Sequence, residues 1–278
     1  MAMAKGKSFM YGYTTPKPYS HSEIERSIQY DINVVEQWIY YLKEYQSDNF
    51  SLENKNILEI GPGSDLGTGL YLLSKDCLRY NAFDVNDLAS QTPADLYKSL
   101  MHVIAANDPQ KESYLRSQLD SYRNGQESRL NYYVGSISDL AEHIGKGSVD
   151  LVFSQASFEH IDDLDAMASQ MDMVCKPGAV MVVEIDLKTH TRWIRDRDPN
   201  NIYRYNDFLY RLFYFSGIPN RLRPFQYKEL FELNGWSDVK IIPISVLSSI
   251  ENSHYYKKFL KPENQMSYLS IIMCARKN

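Results

Sequence analysis

Between Asn56 and Leu187 the sequence switches repeatedly between two hydrophobic periods. Five short apolar runs have the length and composition of buried strands: "KNILEIG", "LRYNAFDV", "RLNYYVGS", "SVDLVFSQ" and "VMVVEIDL". Between them lie stretches with helical character: "LGTGLYLLSKD", "PADLYKSLMHVIAA", "KESYLRSQLDSYR" and "LDAMASQMDMVC", the last closed by Pro177 and Gly178. Strands that alternate with helices pair in parallel, because each return to the same edge needs a crossover that lies on a face of the sheet. After the helix "FQYKELFELNGW", two further runs, "DVKIIPISV" and "MSYLSIIMCAR", follow closely enough to finish as a hairpin. The expectation is an α/β, seven-stranded, mostly parallel sheet with the last strand antiparallel, flanked by helices.

Three pieces fall outside this alternation. Residues 1–50 read as a Tyr-rich cap holding an amphipathic helix over Glu23 to Tyr45, with Ile24, Ile28, Ile32, Val35, Trp38 and Tyr41 at helical spacing and Ser20 or Ser22 as its N-cap. Residues 51–278 form the main domain, with inserts at about 86–128 and 188–224. Segments this long between strands commonly cover a site, so both inserts are expected to form a substrate lid.

Composition excludes several classes. A net charge of −5 and the absence of a basic cluster argue against a nucleic-acid partner. No apolar run is long enough to cross a membrane, and the N-terminus lacks a signal-peptide core. Cys77, Cys175 and Cys274 are scattered and form no CxxC pair, which fits a reducing cytoplasmic setting and no zinc site. A homodimer is compatible with the aromatic N-terminal helix.

The loop after the first strand is the most informative local feature. "EIGPGSDLG" places Gly61, Gly63 and Gly67 within seven residues, in a chain with 13 glycines. Glycines at a strand-to-helix turn let a ligand approach bare backbone. The spacing is not GxGxxG, and Glu59 would repel a pyrophosphate, so a ligand with a cationic end suits the loop better. Asp84, 21 positions beyond Gly63 at the end of the second strand, is placed to accept hydrogen bonds from ribose hydroxyls.

These motifs resemble those of class I S-adenosylmethionine-dependent methyltransferases. "LEIGPGSDLG" is similar to their first motif, "AFDV" to the ribose-binding acid, "VGSISDL" to the adenine segment, and "VDLVFSQASFEHIDD" and "VCKPGAVMVVEID" to the fourth- and fifth-strand motifs. The resemblance covers about Asn56 to Asn278. It implies a Rossmann-like fold and S-adenosyl-L-methionine as cofactor, with S-adenosyl-L-homocysteine as product. It further implies that Glu59, Gly61, Gly63 and Ser64 border the methionine moiety. Asp84 and Val85 would hold ribose and adenine, Ser136 and Ile137 would flank the adenine amine, and Ser154 and Gln155 would lie beneath the sulfonium. Ser136 departs from the family, which often has Asp there.

A hydroxyl acceptor needs its proton removed, whereas a neutral amine does not at the attack step. The expected catalytic groups are His190, His160 and Asp186, with His190 as base and Asp186, four residues earlier, orienting it. Glu159, His160, Asp186 and His190 also form a donor set for a divalent cation, although no metal is expected. Arg221 and Arg223 are the candidate contacts for an anionic group on the substrate. The pattern resembles bacterial methyltransferases of glycan and specialised-metabolite pathways. It implies O-methylation of a small, sugar-containing or specialised metabolite. The alternatives are N-methylation of a small amine or peptide and a non-catalytic S-adenosylmethionine-binding scaffold.

Overall fold

A computed structural model of the protein describes residues 5–6, 9, 21–46, 50–106, 108–248 and 254–278. The five apolar runs become parallel strands: β1 (Asn56–Ile60), β2 (Arg79–Asp84), β3 (Leu130–Val134), β4 (Val149–Gln155) and β5 (Cys175–Asp186). The last two are β6 (Trp236–Val246) and β7 (Tyr268–Lys277). The sheet order is β3-β2-β1-β4-β5-β7-β6, and β7 runs antiparallel to both of its neighbours. That is the expected Rossmann-like α/β sheet, with its one reversed strand set between β5 and β6.

Helices cover both faces. On one lie α1 (His21–Gln46), α2 (Gly67–Ser74), α3 (Ala94–Ile104) and α4 (Pro109–Arg123), whose buried side chains share a core with Ile57, Tyr80 and Phe153. On the other lie α5 (Leu140–Ile144), α6 (Leu164–Val174) and α9 (Pro224–Leu233), packed against Leu58, Phe83, Val152 and Met181. Because both faces are covered, the central strands are largely apolar rather than alternating.

Three expectations change. Helix α1, read as part of an N-terminal cap, belongs to the main core: Val35, Trp38 and Leu42 are fully buried, and the Trp38 ring stacks on Phe153 at 4.9 Å. The proposed Ser20 cap and the tyrosines of residues 10–19 lie outside the described residues. The 86–128 insert is core rather than lid, since Leu96 and Leu100 of α3 and Leu115 and Leu119 of α4 are buried in the main core. Pro177 and Gly178 do not stop α6, which ends at Val174. They lie inside β5, where Gly178 takes a φ of 80°.

The 188–224 insert builds a small core of its own. It contains α7 (Arg192–Arg195) and α8 (Asp207–Leu212), and buries Ile202, Tyr203, Tyr210 and Ile218 against Phe259 and Met266. It is stitched onto the ends of β4 and β5: Tyr203 Oη donates to the Leu187 carbonyl, and the Asn220 N–H to the Glu159 carbonyl.

Candidate active site

The strand order reverses between β1 and β4, so the crevice beyond their carboxyl ends is where this sheet type receives a ligand. The loop after β1 forms one wall. Gly61 has a φ of 70°, and a Cβ there would collide with the Ser157 hydroxyl, so the loop abuts the turn after β4. Gly63 has a φ of 79°, and a Cβ there would meet nothing within 4 Å, which leaves open space above its backbone.

Asp84 ends β2 facing this loop. Its Oδ1 accepts from the Asn86 N–H at 2.9 Å. Burial raises its pKa to about 6, against the pull of the Asn86, Val85 and Gly63 N–H groups. Next to it, Val85 is exposed, an apolar surface beside a carboxylate. Ser136 is an N-cap: its N–H donates to Asp139 Oδ2, and its hydroxyl meets Ser138 Oγ at 2.8 Å, with Ile137 partly buried behind it.

Two expected contacts sit deeper than the sequence suggested. Glu59 is 1% exposed, and its Oε2 accepts from Thr68 Oγ1 at 2.7 Å and Tyr80 Oη at 2.6 Å. Burial lifts its pKa to about 7 despite those two hydroxyls. Its carboxyl therefore acts from beneath the loop and not as an exposed ligand contact. Ser154 is fully buried and donates to the Ile60 carbonyl at 2.7 Å, tying β4 to β1, so its hydroxyl does not face the crevice. Gln155 does reach the strand ends, donating to Glu184 Oε2 at 2.7 Å, as does Gln37 of α1 at 2.9 Å.

The sequence reading missed Asp31. It sits on the buried stripe of α1 at 3% exposure, packed so closely on Gly67 that a Cβ there would collide with its carboxylate. Burial and the neighbouring Asp65 hold its pKa well above the ordinary carboxylate range, as in a carboxyl pair sharing one proton. The available signal was an acid on the 24-28-31-35-38-42 stripe of an otherwise apolar face.

A second cluster gathers at the ends of β4 and β5. After Gln155 the chain turns through Ala156, at a φ of 48°, into a short 3-10 turn over Phe158–His160. The left-handed conformation of a non-glycine residue here is local strain of the kind that functional turns retain. Glu159 is 2% exposed, and neither of its oxygens has a hydrogen-bond partner. Burial drives its pKa well above the ordinary range, and the Asp186 and Glu184 carboxylates add to the effect. The Glu159 and Asp186 N–H groups offset part of it without reaching hydrogen-bond geometry.

His160 Nδ1 lies 2.5 Å from the Gly217 carbonyl, which assigns the ring proton to Nδ1 and the lone pair to Nε2. Burial lowers its pKa to about 4, and His190 adds to this. The His160 and His190 rings are 4.6 Å apart. His190 Nε2 is buried without a hydrogen-bond partner, 3.6 Å from Asp186 Oδ2 and 4.0 Å from Glu159 Oε1. Asp186 accepts from the Lys188 N–H at 3.0 Å and from Arg195. Burial alone would raise its carboxyl, but His190 and Lys188 hold it below its ordinary value.

The structure corrects the assignment of the two arginines. Arg221 donates to the Ile202 and Tyr205 carbonyls, pairs with Asp207, and lies over the Tyr210 ring. Arg223, fully buried, donates to the carbonyls of Asn264, Gln265 and Tyr268 and stacks on Tyr203. Arg221 thus braces the insert from within, and Arg223 ties it to the 264–268 segment. Carbonyls are abundant where a loop packs without regular structure, and a guanidinium is the side chain that can satisfy several at once.

With this geometry in view, residues 58–183 match the family described as "Methyltransferase domain", a span running from β1 through β5. A search of curated proteins finds no significant match to the sequence. Solved structures similar in fold include CurJ carbon methyltransferase, at 16% identity over 83% of this chain and 50% of that one, TM-score 0.45. Haemonchus contortus phosphoethanolamine N-methyltransferase 2, with S-adenosyl-L-methionine, is 14% identical over 100% and 57%, TM-score 0.49. A SAM-dependent methyltransferase from Archaeoglobus fulgidus is 14% identical over 89% and 94%, TM-score 0.48. This chain thus spans about half the length of the first two, and likenesses this distant say nothing about the acceptor. The matched family, the sheet order and the loop after β1 identify a class I S-adenosylmethionine-dependent methyltransferase domain. No described helix is long and apolar enough to cross a membrane.

Proposed function

We propose that the protein transfers a methyl group from S-adenosylmethionine to a hydroxyl of a small, sugar-containing or specialised metabolite. The cofactor supplies a methyl group already activated by a sulfonium. Gly61, Gly63 and Ser64 border its methionine end, with the Glu59 carboxyl beneath them. Asp84 receives the ribose hydroxyls, Val85 and Ile137 enclose the adenine, and Ser136 and Gln155 border the site. The open space above Gly63 and the carboxylate facing it support this fit.

The acceptor lies at the ends of β4 and β5, beneath the 188–224 insert, which serves as its lid. The carrying observation is the convergence there of His160, His190, Glu159 and Asp186, with His190 Nε2 and both Glu159 oxygens unpartnered. A hydroxyl must shed its proton as it attacks, and these lone pairs are placed to draw it away. Alignment of the nucleophile with the methyl group supplies most of the remaining acceleration.

The test is an acceptor screen that reads S-adenosylhomocysteine release, repeated with His190→Gln. Methylation of a hydroxyl compound with kcat lowered by about 100-fold in the variant, at unchanged cofactor affinity, is the expected result. Turnover confined to amines and indifferent to His190 would establish N-methylation instead. Cofactor binding without turnover of any acceptor would indicate a scaffold.

A further inference from the structure

We propose that Glu159, His160 and His190 form a binding site for one divalent transition-metal ion. One ligand atom from each lies within 4.8 Å of the others. A four-coordinate ion with ligand bonds near 2.1 Å needs its donors about 3.4 Å apart, so the set closes on an ion by about an ångström. Glu159 is the strongest pointer. A carboxylate at 2% exposure with two unpartnered oxygens is a costly arrangement in a dry interior, and a cation between it and the imidazoles removes that cost.

The imidazoles are arranged as ligands are. His160 is fixed through Nδ1 by the Gly217 carbonyl, which leaves the Nε2 lone pair for an ion; this is how a second hydrogen bond usually orients a metal-binding histidine. His190 Nε2 is buried and unpartnered, facing Glu159 Oε1. Asp186 Oδ2 lies 3.6 Å from the same nitrogen, but Arg195 and the Lys188 N–H hold that carboxylate, so it stands outside the set. Two imidazoles and one carboxylate favour zinc, iron, cobalt or nickel over magnesium or calcium. Three protein ligands leave a coordination position open.

The inference rests on the acceptor reading above and deepens it, with direct proton removal by His190 and Glu159 replaced by activation at the ion they hold. An acceptor hydroxyl takes the open position, and the ion lowers its pKa. Its proton leaves to solvent, and the oxygen's electron pair forms the new bond to the methyl carbon. The electrons of the sulfur–carbon bond return to sulfur.

The experiment is equilibrium dialysis of the chelator-treated full chain against zinc chloride, with bound metal measured by atomic emission and the site probed by the visible spectrum of added cobalt. One zinc per chain is expected. Binding should weaken by on the order of 100-fold or more in Glu159→Gln and in His190→Ala. S-adenosylmethionine affinity serves as the control for folding in both variants. An absence of stoichiometric zinc, or zinc binding indifferent to both substitutions, overturns the proposal and leaves Glu159 as a protonated buried carboxyl. Hydroxyl methylation that proceeds undiminished in chelator-treated protein overturns it too, while sparing the methyl-transfer reading. Zinc bound as expected, without methylation of any hydroxyl compound, supports the site and removes the acceptor reading.

Discussion

The two halves of the crevice hold their buried glutamates differently. On the cofactor side, Glu59 is enclosed by two hydroxyls and Asp84 accepts a backbone N–H. On the acceptor side, Glu159 and the His190 ring nitrogen face each other with no donor between them. A satisfied buried acid shapes and charges a site from within the framework. An unsatisfied one marks where a ligand belongs, because orphaned polar atoms are rare in interiors. The first half reads as a rigid cofactor frame, the second as a site completed by what it binds.

The largest effect should come from the framework that holds the acceptor side. Arg223→Ala removes a fully buried guanidinium that donates to the carbonyls of Asn264, Gln265 and Tyr268, and should lower the unfolding free energy by roughly 3 kcal/mol or more, measured by urea titration. If stability is unchanged while turnover falls, Arg223 faces the substrate after all.

The cofactor side makes a pH prediction. The folded-state pKa of Glu59, about 7, exceeds its ordinary value, and so does that of Asp84, about 6. Between the ordinary and raised values the folded protein holds protons that the unfolded chain has released. This contribution is therefore present below the ordinary carboxylate values and lost as pH rises through about 6 to 7, amounting to about 3 kcal/mol for Glu59 alone. Urea midpoints of the cofactor-free protein at about pH 5 and about pH 7.5 measure it. Glu59→Gln is the reference, because it keeps the opposing contribution of His160, whose pKa is lowered to about 4; a pH dependence unchanged in that variant would mean that Glu59 is ionised in the fold.

Asp84→Ala should weaken S-adenosylmethionine binding by about 10- to 100-fold in calorimetry, the loss of hydrogen bonds to a charged acceptor. An unchanged affinity would remove the ribose assignment. The smallest effect is expected from Ser154→Ala, which loses the bond to the Ile60 carbonyl and about 1 kcal/mol of stability, with cofactor affinity unchanged. A large affinity loss there would return Ser154 to the crevice.

The legible parts of the site were those encoded locally. Gly61, Gly63 and Asp84 announce themselves because a loop after a buried strand and an acid at the next strand's end have few other uses in a parallel sheet. Asp186 and His190, four residues apart, do approach each other, and His160 stands beside them. Direction was not legible. Ser154 and Gln155 are neighbours on one strand, so they point to opposite faces, and nothing local says which face is the crevice. Arg221 and Arg223 looked like anion contacts because a guanidinium binds carboxylates and backbone carbonyls with the same donors. The 86–128 insert looked like a lid because it is long for a connection between strands, yet its apolar positions are buried in the main core.

Periodicity and glycine placement, properties of neighbouring residues, were enough to set the strand count, the parallel sheet and the cofactor loop. Tertiary structure alone decided which charged groups meet. Asp31 reaches Asp65, Glu159 faces His190, and Arg223 finds carbonyls some forty residues away because helix and strand packing brings distant segments within ångströms. Burial then decides whether each group is satisfied or left open for a ligand, and burial is a property of the whole fold.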